Sequence, residues 1–486
     1  MADDPELQEA MQPGGAAAEP DRRRLMREDY ALERLPSNWR WGPQTVFMVL
    51  AGIITAFFFP ATGGTYLLKY GAIATFIGMV VGFVLLTGLT VIVSSAASRE
   101  GLTSDLLTRG CGYGYLGSAF TCLIYAFTFC IYAGLEGQIL ATSLHTVWHI
   151  PVGYLYVLSG LLFVPLTWYG MAQLSWTMWL SFPLYVGLLA LAIVRVLNRH
   201  GGFPAHFLTA QPHGAVIGGL GILGVMAGLS GTIGLNPMEY SDYNRFIRPG
   251  RFRRAIFPTI ILPNLLMFFF AFPLGVFFTL LTRQINPGLY FVALLGTGLG
   301  VLFAWITQVR INITNVYSGS LAFANFFSRV FEWSPTRILW VILVSVASIG
   351  LMFGNVLTHL LSFLEWDGIY LLAWVATVVA DLLVVKGLLR IGPTRVEYEK
   401  HRLRAINPVG VVALIAGVGV GSAIQYGVSN PTVHDLAAYI AFVVAFGVHI
   451  AMAVATRGRY YLPAAREPDQ PGPPSAPETP VGTRSA

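Results

Sequence analysis

Gly228-Leu-Ser-Gly-Thr-Ile-Gly-Leu-Asn-Pro-Met-Glu-Tyr-Ser-Asp-Tyr-Asn-Arg-Phe246 is the stretch of this sequence that decides its fold. It continues an apolar run that begins near residue 215, yet its pattern is that of an interrupted helix. Gly231 and Gly234 weaken the first half, and Asn236 followed by Pro237 is typical of the N-cap and first residue of a new helix. The stretch therefore predicts a membrane span, the sixth, that breaks and restarts.

Glu239 adds to this prediction because it lies three residues after Asn236, where it would complete a capping box. An interrupted backbone at membrane depth is tolerated where it is buried in protein or lines a cavity. The restarted half-helix would direct its positive N-terminal end into that cavity, as in the binding sites of secondary transporters. The alternative is that the glycines and Pro237 only kink an ordinary packed span.

The composition of the 486-residue chain excludes an ordinary soluble protein. Hydrophobic residues make up 55% of it and charged residues 11%, and the mean hydropathy is +0.64. A membrane span needs about 20 apolar residues, and twelve runs of that kind follow one another along the chain. The sequence therefore predicts an all-α, multi-pass membrane protein with about twelve transmembrane helices.

The first span carries a weak point of its own, Pro60-Ala-Thr-Gly-Gly64. Interruptions in spans 1 and 6 stand at corresponding places, which indicates an inverted repeat of five spans plus five, with two further C-terminal helices. The predicted organisation is a cytoplasmic tail at 1–40, a ten-helix transport core at 41–390, a cytoplasmic linker at 391–406, helices 11 and 12 within 407–456, and a disordered cytoplasmic tail at 457–486.

The distribution of Lys and Arg assigns the two sides of the membrane. Arg99 and Arg109 follow span 2, five arginines between 245 and 254 follow span 6, and six basic residues between 386 and 404 follow span 10. The loops after spans 3, 9 and 11 contain neither Lys nor Arg. We therefore expect both termini to be cytoplasmic and the protein to lie in the cytoplasmic membrane. The net charge of +6 follows this topology and is not a signal of nucleic-acid binding.

Two spans carry polar side chains at membrane depth, where an ionisable residue is costly and indicates function. Glu136 lies well inside the apolar run of span 3. Arg310, Asn312 and Asn315 form a dense polar set in span 8, although helical spacing places Arg310 and Asn312 on different faces. The alternative for each set is polar packing between helices without a further role.

Catalytic and metal-binding signals are not visible in this sequence. No nucleophile with a neighbouring base and no metal triad appears, which argues against an enzyme. The three cysteines cluster around one span and form neither a disulfide framework nor a metal-ligand pattern. We expect no metal and no cofactor besides a coupling cation, and no obligate protein partner.

Several motifs together resemble the nucleobase:cation symporter-1 family, especially its purine–cytosine permease-like branch. The resemblance covers about residues 40 to 460. The motifs that support it lie at 101–109, 135–141, 242–246, 311–320, 325–329 and 380–382. It implies the leucine-transporter fold with twelve spans, and broken helices 1 and 6. It also implies symport of a planar heterocycle with Na⁺ or H⁺.

The family's substrate residues carry over unevenly. Tyr132 matches the stacking aromatic of span 3, and Glu136 stands where the family has glutamine, which changes a donor-plus-acceptor group into an acceptor when it is ionised. Asn315 matches the span 8 asparagine, and both side chains are expected to bond the edge of the ring. The backbone around Gly231 would close the site. Ile233 stands near the position of the family's span 6 tryptophan.

The resemblance also bears on the coupling ion. The family's sodium-binding hydroxyl residues fall near Val309 and Arg310, close to Thr307. Arginine offers only donors and stays protonated in proteins, so it cannot replace a sodium ligand. We therefore favour H⁺ over Na⁺ as the coupling cation, with Glu136 or Glu239 as the candidate carriers of the proton.

The expected function is secondary active import of a nucleobase or similar planar N-heterocycle, of cytosine or purine type, by cation-coupled alternating access. A symporter for a related ring, such as allantoin, a hydantoin or a vitamin precursor, is the alternative within transporters. An ion channel is the alternative from another class, and it would need a continuous pore. The expected partners are the heterocyclic substrate and the lipid bilayer.

Overall fold

The computed structural model of the protein describes residues 30, 32–167, 170–393 and 395–461, without the side chains of 170–177 and 337. Helices dominate this part of the chain, which contains no β-strand. The main helices are α1 (Pro43–Ile54), α2 (Phe58–Glu100), α3 (Ala119–Trp148), α4 (Val152–Leu161), α5 (Gly170–His200), α6 (Gly218–Asn244), α7 (Pro249–Thr282), α8 (Thr297–Val330), α9 (Arg337–Phe353), α10 (Val356–Leu388), α11 (Pro408–Gly427) and α12 (Ala437–Ala455).

Eight of the described helices are long and apolar enough to cross a membrane, and three shorter apolar helices accompany them. Helix α2 contains the second half of the first span and the whole second span, because the backbone of Gly71 leaves the helical region between them with a φ of 77°. A positive φ of this kind is easily adopted only by glycine. The prediction of an all-α multi-pass membrane protein is therefore confirmed.

The first span is broken, as expected, but not at the residues that the sequence indicated. Helix α1 ends at Ile54, and α2 begins at Phe58. Pro60 is the third residue of α2, where a missing N–H breaks no bond of the helix. A Cβ on Gly63 would lie 2.1 Å from the Phe272 carbonyl oxygen of α7, so this glycine permits close packing.

The sixth span is not broken, which corrects the prediction made from its glycines and Pro237. Helix α6 runs without interruption from Gly218 to Asn244. The Asn236 amide nitrogen lies 3.7 Å from Met267 Sδ and does not cap a new helix, and Glu239 forms no capping box. Pro237 is accommodated inside the helix, because neighbouring helices allow such residues within membrane spans.

The glycines of α6 serve contact between helices. A Cβ on Gly231 would lie 3.0 Å from the Leu364 carbonyl oxygen, and one on Gly234 would lie 2.6 Å from Leu371 Cβ and 2.9 Å from the Leu372 nitrogen. Both neighbours belong to α10. Small residues at such positions let two membrane helices approach at backbone distance. Close packing against α10 is therefore the physical reason for this glycine pattern.

The two C-terminal helices pack on the core through small residues. A Cβ on Gly421 of α11 would lie 2.8 Å from Ile369 of α10 and 2.8 Å from Ala441 of α12. Residues 1–29 and 462–486, most of the two predicted tails, lie outside the described residues. The predicted boundaries of the core and the linker stay predictions.

The α6–α10 contact can be tested with Gly234→Ala. The added Cβ meets backbone atoms that cannot turn away, and overpacking of this kind costs about 1–3 kcal/mol. We expect a lower thermal unfolding midpoint in detergent. Gly219→Ala on the same helix is the matched control, because no atom lies within 4 Å of its Cβ position. A Gly234→Ala protein as stable as the Gly219→Ala protein would contradict this packing.

Candidate functional site

A cavity of about 30 Å³ lies beside the break between α1 and α2. Helices α3, α6 and α8 complete its wall, and every lining residue is buried. The lining residues are Ile53, Ala56, Phe58, Phe59, Tyr132, Glu136, Thr232, Leu235, Asn236, Glu239, Ile311 and Asn315. The structure thus brings four predicted site residues, Tyr132, Glu136, Asn315 and Glu239, to one cavity.

The Glu136 carboxylate caps the restarted first span. Its Oε1 accepts a hydrogen bond of 2.9 Å from the backbone N–H of Phe58, the first residue of α2. Its Oε2 accepts one of 2.7 Å from the Gln308 amide of α8. The first N–H groups of a helix lack partners, and the positive end of the helix attracts a carboxylate. The helix end that points at the site therefore belongs to span 1, not to span 6.

A row of amides continues from this cap along α8. The Gln308 Oε1 accepts a bond of 3.2 Å from the Asn312 amide, and the Asn312 Oδ1 accepts one of 3.3 Å from the Asn315 amide. Spacings of four and three residues place these side chains on one side of the helix. The Asn315 Oδ1 receives no hydrogen bond from a described residue. Asn315 therefore brings a free acceptor to the cavity.

Aromatic rings form the apolar part of the wall. Phe58 packs edge to face against Tyr132, with ring centroids 5.2 Å apart and an interplanar angle of 72°. Tyr132 meets Phe363 of α10 in the same way at 5.7 Å. Such contacts fix ring orientation and leave other faces available. Tyr132 thus lines the cavity with an oriented ring, and its role as a stacking residue stays a prediction.

Glu239 faces the same cavity but has a different environment from Glu136. It is 2% exposed, and no described residue donates a hydrogen bond to its carboxylate. Asp242, one turn away, accepts bonds from the Ser104 backbone N–H at 2.7 Å and from the Tyr125 hydroxyl at 3.0 Å. Glu239 is therefore the acidic group of the wall that is open to a ligand or a proton.

Arg310 does not line the cavity, but it contacts the segment between α1 and α2 through Thr55. Its Nε donates to the Thr55 Oγ1 at 3.0 Å, and its Nη1 donates to the Met178 carbonyl oxygen at 2.8 Å and the Ser181 Oγ at 2.7 Å. The guanidinium is buried and pairs with no carboxylate among the described residues, and its Nη2 has no hydrogen-bond partner. One fixed positive charge thus joins α8, α5 and the end of α1.

Besides Arg310, three predicted residues lie away from the cavity wall. Gly231 packs against α10, Ile233 is fully buried, and the Thr307 Oγ1 donates to the Phe303 carbonyl oxygen of its own helix at 2.9 Å. The sequence reasoning missed Thr232 and Asn236 as wall residues, since an unbroken α6 turns different faces to the site. Their helical spacing of four residues was the available signal.

The chain before α1 closes the end of the bundle that carries the N-terminus. The Arg40 guanidinium donates to the carbonyl oxygens of Ser98, Arg245 and Ile247 at 2.7, 2.7 and 2.8 Å. Trp41 stacks on Phe246 with centroids 4.3 Å apart. Burial, with Arg245 and then Arg34 nearby, lowers the pKa of Arg40 to about 10, so the group stays charged at neutral pH. These contacts tie the segment before α1 to the ends of α2 and α6.

Known structures with the same architecture are transporters. Mhp1, a nucleobase-cation-symport-1 family transporter solved in a closed conformation with bromovinylhydantoin bound, is 16% identical, with 87% of this chain and 97% of that chain covered and a TM-score of 0.67. A Na⁺-coupled sialic acid symporter is 13% identical, with 86% and 90% covered and a TM-score of 0.62. A manganese transporter of Eremococcus coleocola is 11% identical, with 85% and 94% covered and a TM-score of 0.54.

No family model matches the sequence, and no curated protein matches it. The likeness to solved structures is therefore a likeness of fold, and it extends over most of both chains. It confirms the predicted leucine-transporter-type architecture.

The capping role of Glu136 predicts a loss of stability in its variants without any ligand. In Glu136→Ala, the Phe58 N–H and the Gln308 amide lose their buried acceptor, and each unsatisfied group costs about 1–3 kcal/mol. Glu136→Gln keeps one acceptor oxygen and should lie between this variant and the wild type. Thermal unfolding of the purified protein measures the difference. Glu332→Ala is the control, because the Glu332–Lys400 pair is exposed. A wild-type unfolding midpoint in Glu136→Ala would show that the carboxylate does not hold the break.

Proposed function

We propose that this protein is a secondary transporter of the nucleobase:cation symporter-1 type that imports a nucleobase or similar planar N-heterocycle across the cytoplasmic membrane. The observation that carries the proposal is the cavity beside the helix break. There the rings of Phe58 and Tyr132 lie beside two hydrogen-bond acceptors, the Asn315 Oδ1 and the Glu239 carboxylate. Neither acceptor receives a hydrogen bond from a described residue. Apolar walls with a few convergent polar groups are typical of small-molecule sites. The shared fold and the quoted motifs support the same function.

The chemistry of the wall suits a flat ring that carries N–H groups. When Glu239 has released its proton, its carboxylate only accepts hydrogen bonds, so this form selects a ligand with a ring N–H or an exocyclic amine. The free Asn315 oxygen accepts a second one. Glu136 is already bound by Phe58 and Gln308, so in this proposal it shapes the site and leaves the ring edge to Asn315 and Glu239.

The size of the cavity supports alternating access. A water needs about 10–15 Å³ of such volume, so 30 Å³ holds about two waters and no heterocycle. A substrate enters only when the aromatic wall moves, which a carrier provides by rocking its helices. In this proposal the Arg40 contacts close one end of the route, and the arginines near it support a cytoplasmic position for that end. An ion channel would need a continuous pore, and the closed cavity argues against it.

A related ring is the second candidate substrate. The structurally similar Mhp1 was solved with bromovinylhydantoin bound, and a hydantoin offers the same ring N–H donors in a plane. Allantoin and vitamin precursors share this chemistry. The wall contains no nucleophile paired with a base, so we propose transport without chemical conversion.

The proposed coupling ion is a proton. At about 4 Å, a second cation beside Arg310 meets about 4 kcal/mol of repulsion even at an effective dielectric constant of 20. The guanidinium bonds Thr55 at the end of α1, where the resemblance would place a sodium ion. Arg310 itself stays protonated, so the moving charge is assigned to a carboxylate, and Glu239 has the fewest partners in the wall.

Counterflow in proteoliposomes tests the substrate proposal. Labelled cytosine, hypoxanthine or a hydantoin should exchange against internal unlabelled ligand, and Asn315→Ala should weaken uptake because the ring loses an acceptor worth about 0.5–1.5 kcal/mol. Tyr132→Ala should weaken it further. Tyr154→Ala is the control, since Tyr154 is exposed on α4. Absence of saturable exchange for all such rings in folded protein would refute the proposal.

Replacing sodium by choline tests the coupling proposal. At fixed external pH, uptake should be the same in both salts, because Arg310 supplies the positive charge at the junction of α1 and α8. An imposed inward proton gradient should raise accumulation in either salt. A steep rise of uptake with sodium would overturn proton coupling and leave the substrate proposal standing.

A further inference from the structure

Asp367 is a buried acid that the binding site does not use. It lies on α10 and is fully buried. Its Oδ1 accepts a hydrogen bond of 2.8 Å from the Thr128 hydroxyl of α3, and its Oδ2 has no hydrogen-bond partner. Buried carboxylates are normally paired or bonded several times. A buried carboxyl group with a single hydrogen-bond donor is unfavourable for stability, which indicates that Asp367 has a functional role.

The position of Asp367 connects it to the cavity wall. Thr128 and Tyr132 are four residues apart on α3, and Phe363 and Asp367 are four residues apart on α10, so each pair lies on one helix face. Since the rings of Tyr132 and Phe363 are in contact at 5.7 Å, the Thr128–Asp367 bond lies one helical turn further along the same interface. Asp367 therefore lies one helical turn from the contact of the cavity-lining Tyr132 ring with Phe363.

Helix α6 packs against α10 beside Asp367 and limits the access of water to it. A Cβ on Gly368 would lie 2.0 Å from the Ser230 Oγ of α6, so α6 and α10 touch at backbone distance beside Asp367. Thr128 of α3 covers the carboxyl group from the other side. The acid therefore lies where α10 packs against α3 and α6, and these helices must separate before water reaches it.

The charges around Asp367 are few. Tyr132 is the titratable group nearest to it on α3, and Glu239 of α6 lines the cavity together with the same tyrosine. Other charged groups of α10 belong to separate clusters. These are Glu365 with Lys69, His434 and Asp435 at one end of the helix, and Asp381 with Lys386 and His449 at the other. No cation among the described residues pairs with Asp367.

We propose that Asp367 is a proton-binding site whose occupancy is coupled to the opening of the α3–α10 interface. In the closed interface the neutral acid is favoured, because an ionised carboxylate there has one hydroxyl donor and no counter-charge. When the helices separate, water hydrates the group and the proton dissociates to that side. The proton is bound from water on one side and released to water on the other, so no other reactant takes part.

This inference rests on the proposed transport function and adds the residue that links proton to substrate. A substrate ring stacked on Tyr132 contacts the α3–α10 interface that also contains Asp367. Substrate binding and proton binding therefore shift the same equilibrium, between the closed and the open interface. Such coupling is reciprocal: if the substrate favours the protonated form, protonation tightens substrate binding by the same factor. Glu239, in contrast, meets the ligand directly.

Asp367→Asn tests the inference, since it keeps the size and the bond to Thr128 but removes the acid. Ligand binding by thermal shift and counterflow should persist, because neither needs net proton movement. Accumulation driven by a proton gradient should fall by about tenfold or more, within the range of ordinary coupling factors. Glu365→Gln is the matched control, two residues away on the same helix with Gln425 as its partner, and should accumulate normally.

Infrared spectroscopy of the purified protein supplies a readout that does not need transport. The C=O band of a buried protonated carboxyl should vanish in Asp367→Asn, persist in Glu365→Gln, and shift in frequency in Thr128→Val, which removes the hydroxyl donor. Wild-type accumulation in Asp367→Asn, or loss of counterflow together with accumulation in folded protein, would overturn the inference. An unchanged infrared band would do the same. If the wild type exchanges no heterocycle, the proposed function fails, and the infrared comparison still decides the protonation of Asp367.

Discussion

The interrupted backbone of the first span is the constraint on which the rest of this structure depends. Residues 55–57 interrupt the regular helix inside a buried bundle, where water cannot supply partners for the backbone groups that the interruption frees. Glu136 satisfies the start of α2, and Thr55 receives Arg310 while bonding the Gly52 carbonyl oxygen at 2.7 Å. Because Gln308 also bonds Glu136, the break fixes the rotation of α8 and so delivers Asn315 to the cavity.

Arg310 shows why a fixed charge cannot be the coupling ion. Its neutral acceptors and the rings of Phe182 and Tyr185, 5.5 and 5.8 Å from the guanidinium carbon, stabilise a cation that has no carboxylate partner among the described residues. A buried charge without a partner of opposite sign is costly, and its retention indicates a function at that place. In the proposed transport cycle, a tethered charge holds helices together but is never released, so the driving energy enters through an ion that leaves.

The sequence was sufficient for the architecture and for the residues whose chemistry is unusual at membrane depth. Hydropathy predicted the spans, and the burial cost of polar groups singled out Glu136, Arg310 and Asn315. Local patterns failed where tertiary contacts decide. The break in the first span lies before Pro60, because side chains from α3 and α8 stabilise it, and no local signal at 55–57 reveals them. Gly231 indicated an interruption in the sixth span, whereas the structure uses it for close contact with α10.

The buried carboxyl groups of the bundle differ in how many hydrogen-bond donors they receive. This difference distinguishes carboxylates with a structural role from those proposed to bind and release a proton. Asp242 receives three donors and Glu136 receives a helix N-terminus and an amide, so the charged form of each group has hydrogen-bond partners. Glu239 receives none and Asp367 receives one hydroxyl. A group without donors loses little when it is neutral and much when it is charged, which is what a proton site requires. Glu239 lines the cavity together with Tyr132, and Asp367 lies one helical turn along the interface where Tyr132 contacts Phe363. In the proposed mechanism, a ring that stacks on Tyr132 therefore influences both proposed proton sites through a single side chain.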